Sequence, residues 1–196
     1  MYRRATHVAA SVIDGIRYVD DLETALADFQ YVVGTTARLG NARGPVVTPR
    51  EMAEKGGDMS QKNRVALLFG PEDAGLTNDE LRFCHLVVNI PTAAFKSLNL
   101  SHAVMILCYE IFAWRPDTDG RFTPKLATSR ELEGMYGQVR DILTKIGFLN
   151  PQNPEYWMMH IRRLFSRTGL LAKEVKIVRG ICRQMAWFLE NRDKKT

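Results

Sequence analysis

The densest pattern of apolar positions lies between Arg64 and Ile111, RVALLFGPEDAGLTNDELRFCHLVVNIPTAAFKSLNLSHAVMILCYEI. Val65 to Phe69 is a continuous apolar run, which predicts a strand buried on both faces. Gly70-Pro71 ends it. Thr77, with Glu80 three residues on, predicts a capped short helix. Leu86 to Ile90 predicts a second buried strand, closed by Pro91, and Ser97 opens a long helix through Trp114. That helix is apolar on nearly every side, so the pattern predicts burial almost all round. Upstream, Arg3 to Val12 fits either a helix or an extended lead-in. Ile16 to Val19 predicts a short strand. Asp20-Asp21 can cap a helix from Leu22 to Asp28, with Leu22, Ala25 and Leu26 on one face. Tyr31-Val32-Val33 is a further buried strand. Leu39 to Asn63 is rich in Gly, Pro and charge and reads as a loop with one short helix, Pro49 to Lys55. Strands alternating with helices predict an α/β fold on a parallel sheet.

After Trp114 the pattern changes. Arg115 to Ala127, RPDTDGRFTPKLA, is polar and reads as a linker. Apolar positions then return at helical spacing: Leu132, Met135, Tyr136, Val139, Ile142, Leu143 and Ile146 make one stripe. Glu155 to Ser166 and Ala172 to Asn191 predict two more helices. The organisation is an α/β domain over 1–115, a linker over 116–128 and a small all-helical domain over 129–196.

Composition adds little except through charge. The formal net charge is +5, a mild preference for an anionic partner. Arg162, Arg163 and Arg167 fall on or just beyond the second C-terminal helix. Lys173, Lys176, Arg179 and Arg183 fall on the third. Such a basic face is either a solvated surface or a patch for a nucleic-acid backbone. Cys84, Cys108 and Cys182 are widely spaced and read as small buried hydrophobes in a reducing compartment. No CxxC or paired His spacing suggests a metal, and no apolar run approaches the ~20 residues of a membrane span. The basic start lacks the sustained apolar core of a signal peptide, and there is no clear internal repeat.

Candidate chemistry sits where strands end. A strand closing on glycine, then a loop and a helix start, is how parallel sheets build ligand sites at their carboxyl edges. Gly34-Thr35-Thr36-Ala37-Arg38 follows one strand, Gly70-Pro71-Glu72 the next, and Ser97-Leu98-Asn99 begins the long helix. There is no GxxxxGK[ST] loop and no GxGxxG fingerprint.

FGPEDAGLTNDEL, then NIP, then SLNLSHAVMILCYE, resemble in order and spacing the second and third motifs of the SpoU/TrmH (SPOUT) family of S-adenosylmethionine-dependent RNA 2'-O-ribose methyltransferases. The resemblance implies a deep C-terminal trefoil knot in the α/β domain and a homodimer formed through the knotted domain. It implies a cofactor, S-adenosylmethionine, held by Thr35, Thr36 and Ala37 of a TSAR-like segment, by Gly70, and by Ile90, Lys96, Ser97 and Leu98. It makes Ser97, Asn99 and Glu72 candidates for the reaction itself. On their own terms Ser97 is a good helix cap and Glu72 a solvated loop acid. Ile90 to Leu98 includes a loop, Thr92 to Lys96, about one residue shorter than is usual. His85 and His102 read as structural. Arg38, Arg43 and Arg50 are candidates for RNA phosphate contacts.

A second resemblance covers Leu132 through FLNPQNP and HIRRLFSRTGLLAKEVKIVRGI. It is to the C-terminal extension of the TrmJ branch, bacterial tRNA methyltransferases acting on a pyrimidine ribose of the anticodon loop. It implies a cytoplasmic protein with tRNA as partner, and assigns tRNA to the face of Arg162, Arg163, Arg167, Lys173, Lys176 and Arg179. One departure stands at the front. The family opens with a strand and helix carrying an Asn…Arg motif, whose arginine acts on the 2'-hydroxyl. Met1 falls past that motif, Arg3 and Arg4 lack its surroundings, and Arg38 matches another segment. The expectation is that these 196 residues bind cofactor poorly and show little methyl transfer. The alternative is a catalytically inactive RNA-binding protein of the same fold.

Overall fold

Four short strands form one parallel sheet: β1 (Tyr31–Thr35), β2 (Val46–Val47), β3 (Val65–Leu68) and β4 (Leu86–Val88), in the order β2-β4-β1-β3. The computed structural model describes residues 9–37, 46–92, 98–116, 122–150 and 152–192. The expected α/β architecture with a helical C-terminal domain is what forms. Val32, Val33, Val87 and Val88 are buried, as a central parallel strand requires. β3 is only half-buried along its length because it is the sheet's edge in this chain. The strand expected at Ile16–Val19 does not form; Ile16, Tyr18 and Val19 lie exposed between α1 (Ala10–Asp14) and α2 (Leu22–Leu26). The β-branched pattern is there, but no neighbouring strand meets it. Asp21 caps α2 through the Thr24 amide at 2.7 Å.

Three of the helices begin with reciprocal capping boxes. Thr48–Glu51 starts α3 (Pro49–Ser60), Thr77–Glu80 starts α4 (Asn78–Leu81), and Thr128–Glu131 starts α6 (Ser129–Lys145). Each satisfies two otherwise orphaned amides, about 1 kcal/mol for the cap alone. α3 runs past the expected end at Lys55, through Gly56 and Gly57. A β-carbon on Gly57 would lie 2.5 Å from the Trp114 ring. The glycine that weakens the helix locally is what admits the end of α5 (Leu100–Ala113) against it.

α5 departs most from expectation. It starts at Leu100, with Asn99 as its cap: Asn99 Oδ1 accepts from the Ser101 amide at 2.9 Å. Ser97, expected to open it, lies in 93–97, outside the described residues, as does the loop on which a knot would depend. The helix is not buried all round. Leu107 alone is fully buried, packing with Met52, Val33 and Val88, whereas Met105, Tyr109 and Phe112 are 69%, 65% and 78% exposed. Cys108, on the same outward stripe, is exposed too, unlike Cys182. Burial raises the pKa of Cys182, and pushes that of the half-buried Cys84 up to about 12 with a smaller push from Glu80.

In the helical domain, Leu132, Met135, Tyr136, Val139 and Ile142 of α6 face Met158 of α7 (Pro154–Ser166) and Val175 and Cys182 of α8 (Ala172–Arg192). Ile146 falls past the helix end and is exposed. The stretch read as linker is ordered where it is described: Thr123, Leu126 and Ala127 are buried, and Leu126 bridges to Leu171.

His85 is a structural histidine. Its amide donates to the Val32 carbonyl at 2.8 Å, and its Nδ1 accepts from the Val32 amide at 3.2 Å. Burial lowers its pKa to about 4, against about 6.5 in an unfolded chain. Above pH ~6.5 both states are neutral and the stability it contributes is fully present. As pH falls from there through about 4, the unfolded chain takes the proton first and stability is lost. His85→Asn keeps a side-chain acceptor and does not titrate. In thermal melts, the wild type is expected to lose more stability than this variant between pH ~6.5 and ~4; parallel curves would show that His85 is not the titrating group.

Candidate active site

The carboxyl ends of β1, β3 and β4 open into one cavity of about 910 Å³. It is walled by Thr35, Thr36 and Ala37 after β1, by Phe69 to Leu76 after β3, by Val88 to Thr92 after β4, and by Leu98, Leu100 and Ala103 at the start of α5. β4 and β1 are the two interior strands, and because every pairing is parallel the loops after β1, β3 and β4 all leave from the same edge of the sheet.

The β3 loop is a compact turn. Gly75 sits at φ +65, a left-handed conformation suited to glycine, and its amide donates to the Pro71 carbonyl at 2.8 Å. The fold-back brings Gly75 against Gly70. A β-carbon on Gly70 would lie 2.2 Å from the Gly75 carbonyl carbon, a position no side chain can occupy. Gly34 has a similar role inside the sheet, where a β-carbon would lie 2.6 Å from Cys84 Sγ.

The β1 loop is pinned from the neighbouring strands. Thr35 Oγ1 donates to the Leu68 carbonyl at 3.0 Å, the Thr36 amide to the Val88 carbonyl at 2.9 Å, and Asn89 Nδ2 to the Thr36 carbonyl at 2.9 Å. Thr35, which the resemblance assigns to the cofactor, already commits its hydroxyl as a donor to the sheet. Asn89 was not singled out beforehand, although it is the first residue of the NIP segment. It ties the β4 loop to the β1 loop and lines the cavity.

The structure brings together Thr35, Thr36, Ala37, Gly70, Glu72, Ile90 and Leu98. It places Asn99 beside them as the α5 cap, its Oδ1 shared by the amide and hydroxyl of Ser101. Arg38, Arg43, Lys96 and Ser97 lie outside the described residues. Among the described lining residues the charged side chains are Glu72 and Asp73, both acids. That electrostatic character disfavours a phosphate and suits a ligand carrying positive charge. The apolar part, Phe69, Leu76, Val88, Ile90 and Leu98, suits a flat heteroaromatic group.

The basic face of the helical domain is smaller than the sequence suggests. Arg162 is not on it. Its guanidinium is held by both oxygens of Glu133, at 2.5 and 2.6 Å, and lies over the Tyr136 ring at 4.2 Å, with both charged side chains nearly buried. Removing one member of such a pair costs about 3–5 kcal/mol, so Arg162 braces α7 against α6. Arg179 is half-buried and donates through Nε to Gln138 at 3.1 Å, and Arg163 is half-buried against Met159 Sδ. Arg167, Lys173 and Lys176 are exposed. Among the described residues there is no cluster of three His, Cys, Asp or Glu able to hold a metal, and no helix long and apolar enough to cross a membrane.

Comparisons with known proteins cover both halves. Residues 1–109 match the SpoU rRNA Methylase family, and residues 130–195 match the tRNA methyltransferase TrmJ C-terminal domain. A tRNA (cytidine/uridine/adenosine-2'-O-)-methyltransferase TrmJ from Pseudomonas aeruginosa is 40% identical, covering 88% of this chain and 73% of that protein. A tRNA (cytidine/uridine-2'-O-)-methyltransferase TrmJ from Sodalis glossinidius is 38% identical over 88% of this chain and 70% of its own. The crystal structure of TrmJ from Z. mobilis ZM4 superposes with a TM-score of 0.78 at 28% identity, over 91% of this chain and 77% of that one.

The packing at Gly70 leads to a direct expectation. Gly70→Ala must push the 70–76 turn open while leaving the sheet register intact. Amide hydrogen exchange should quicken over residues 70–76 and stay unchanged over β1 and β4; uniform exchange in the variant and wild type would refute this account of the turn.

Proposed function

The chain belongs to the SpoU methylase family of RNA methyltransferases, with a TrmJ C-terminal domain, and from that premise we propose that its pocket binds S-adenosylmethionine and that its substrate is a ribose 2'-hydroxyl of tRNA. The observation that carries the reading is the pocket itself. Its described lining unites the three loop ends that the family resemblance assigns to the cofactor, and its charged members are Glu72 and Asp73. S-adenosylmethionine carries a sulfonium and an ammonium against one carboxylate, a net positive charge, so a cleft whose described charged members are acids fits it.

When bound, that cofactor would supply an electrophilic methyl group, whose bond to sulfur would break to leave a neutral thioether as the ribose 2'-oxygen takes the methyl and gives up its proton. The protein's own task is chiefly positioning. Phe69, Leu76 and Ile90 exclude water around the adenosyl group. Gly70 lets the backbone approach, and Thr36, Ala37 and Leu98 close the sides, with Lys96 and Ser97 completing the set. Glu72 is the proposed proton acceptor, Asn99 orients the ribose from the start of α5, and the resemblance assigns Ser97 to the same task. The described lining holds no arginine, the group the resemblance assigns to the 2'-hydroxyl. The helical domain supplies the tRNA contact through Arg167, Lys173 and Lys176, with Arg38, Arg43, Arg163 and Arg179 as further members. The expected substrate is a pyrimidine ribose of the anticodon loop, met in the cytoplasm.

The homodimer and the trefoil knot belong to the same proposal. The outward stripe of α5, Met105, Cys108, Tyr109 and Phe112, carries no charge and is left uncovered. A second copy is the partner this face suits. Met105→Glu is expected to shift the protein from dimer to monomer in sedimentation velocity, and an unchanged mass would remove α5 from the interface.

Calorimetric titration tests the pocket. S-adenosylmethionine is expected to bind, Gly70→Ala to weaken it at least about tenfold, and ATP not to bind because its phosphates meet Glu72 and Asp73. ATP binding in place of S-adenosylmethionine would overturn the reading. Salt-dependent binding of a tRNA transcript with no donor binding and no methyl transfer would favour the inactive RNA-binding protein.

A further inference from the structure

We propose that an exposed aromatic cluster at the corner between α6 and α7 stacks unpaired nucleobases of the RNA substrate, an inference that rests on the tRNA reading above. The corner is built by a glycine. Gly147, at φ +76, ends α6, and the amides of Phe148 and Leu149 both donate to the Leu143 carbonyl, at 2.9 and 3.1 Å. The turn sends Leu149 into the core, fully buried, and leaves Phe148 57% exposed. Asn153 then caps α7, accepting from the Tyr156 amide at 3.4 Å. The helix turns Met158 inward and leaves Tyr156, Trp157 and His160 outside.

These four rings form one surface. Phe148 and Trp157 lie 5.9 Å apart between centroids, Tyr156 and Trp157 5.8 Å, Tyr156 and His160 4.9 Å, and Trp157 and His160 6.3 Å. The angles between planes run from 57° to 84°, so the rings brace one another edge-on rather than stacking on themselves. An edge-to-face contact covers only one face of one partner, and Phe148, Tyr156 and Trp157 remain about half exposed; an aromatic face open to water is the platform on which a nucleobase stacks.

Charge decides the occupant. Residues 129–196 carry 13 Lys and Arg against 7 Asp and Glu, whereas residues 1–128 carry 14 against 15. The chain's whole positive excess therefore lies in the domain that presents these rings. Tyr156, His160 and Arg167, the C-cap of α7, follow one helix face at spacings of four and seven, so the backbone of exposed Arg167 lies about 16 Å along the helix axis from that of Tyr156. That arrangement can hold phosphate at one end while bases meet rings at the other. A duplex keeps its bases stacked and would offer the cluster nothing, so the fit is to a loop with its bases turned out.

The test measures tRNA affinity as a function of salt. Tyr156→Ala/Trp157→Ala is expected to weaken binding of a tRNA transcript about ten- to hundredfold, without changing the slope of log K against log salt, because stacking releases no counterions. Trp157→Phe, which keeps a ring, should stay close to wild type. Arg167→Ala should reduce the slope by about one unit. Circular dichroism checks the fold, and Tyr156→Ala alone, at a more exposed position, serves if the double variant does not fold. Unchanged affinity in the alanine variants, or a loss that comes with a shallower slope, overturns the inference and leaves the tRNA reading standing. A change of mass in sedimentation with no change in RNA affinity overturns it in favour of a second copy of the chain on this corner. A wild-type chain that binds neither the transcript nor a single-stranded RNA decamer overturns both.

Discussion

The relation between the two halves of this molecule depends on one buried side-chain amide. Asn63, at the end of α3, donates through Nδ2 to the carbonyls of Met59 and Pro124, at 3.0 and 2.9 Å, and its Oδ1 accepts from the Leu126 amide at 2.9 Å. It thereby fastens the chain that follows α5, at Pro124 and Leu126, to the turn between α3 and β3. A buried amide satisfied on three sides is directional in a way apolar contact is not, and it fixes geometry as well as proximity. Everything around it follows the same line. Thr123 Oγ1 donates to the Asp58 carbonyl, Lys125 to the Lys62 carbonyl, and the Ser129 and Arg130 amides to the carbonyls of Phe29 and Ala27. The start of α6 is capped by its own Thr128–Glu131 box, and the free carbonyls at the end of α2 find amides there. The helical domain is docked at a set angle to the pocket.

That docking gives the charge distribution a purpose. Among the described residues the pocket's charged lining is two acids, while the positive excess lies wholly in residues 129–196. On the function proposed above, a polyanion would be drawn to one end of the molecule and a cationic cofactor to the other. The same chain could not put both attractions in one cleft without each screening the other. Separation works only if the distance between the two is held, which is what Asn63 and its neighbours do.

Much of this was legible in the sequence because local chemistry wrote it there. FGPEDAGL encodes its own turn: Gly70 and Gly75 must approach, and no other residue permits 2.2 Å at that point. Thr77 and Glu80 announce a helix start, and Val32-Val33 and Val87-Val88 announce central strands. What was not legible depends on partners far away in sequence. Arg162 shows as a positive charge; that Glu133 on another helix neutralises it is invisible to spacing. Gly56-Gly57 reads as a helix stop, and only the Trp114 ring against Gly57 explains why α3 continues. Ile16–Val19 has the composition of a strand and lacks a neighbour to be a strand with. Thr48–Glu51 and Thr128–Glu131 could have been found, since each carries the T-x-x-E signature.

α5 shows the limit most clearly. Hydropathy says only that an apolar surface must be covered; it does not say what covers it. Val33, Val88 and Met52 cover the Leu107 side. The other side, Met105, Cys108, Tyr109 and Phe112, has nothing from the described residues over it. The same reasoning applies to the aromatic corner and to Ile177, Ile181 and Phe188 of α8, but the neighbours differ. Between Leu100 and Ala113 the sequence offers no lysine or arginine at all, so an uncharged surface is the complement. The apolar residues of α8 alternate with Lys173, Lys176 and Arg183, and the aromatic corner shares its helix face with Arg167, so there the complement must itself be amphipathic and acidic. A nucleic acid has that character, with flat apolar bases on a charged backbone, and a second copy of this basic domain does not.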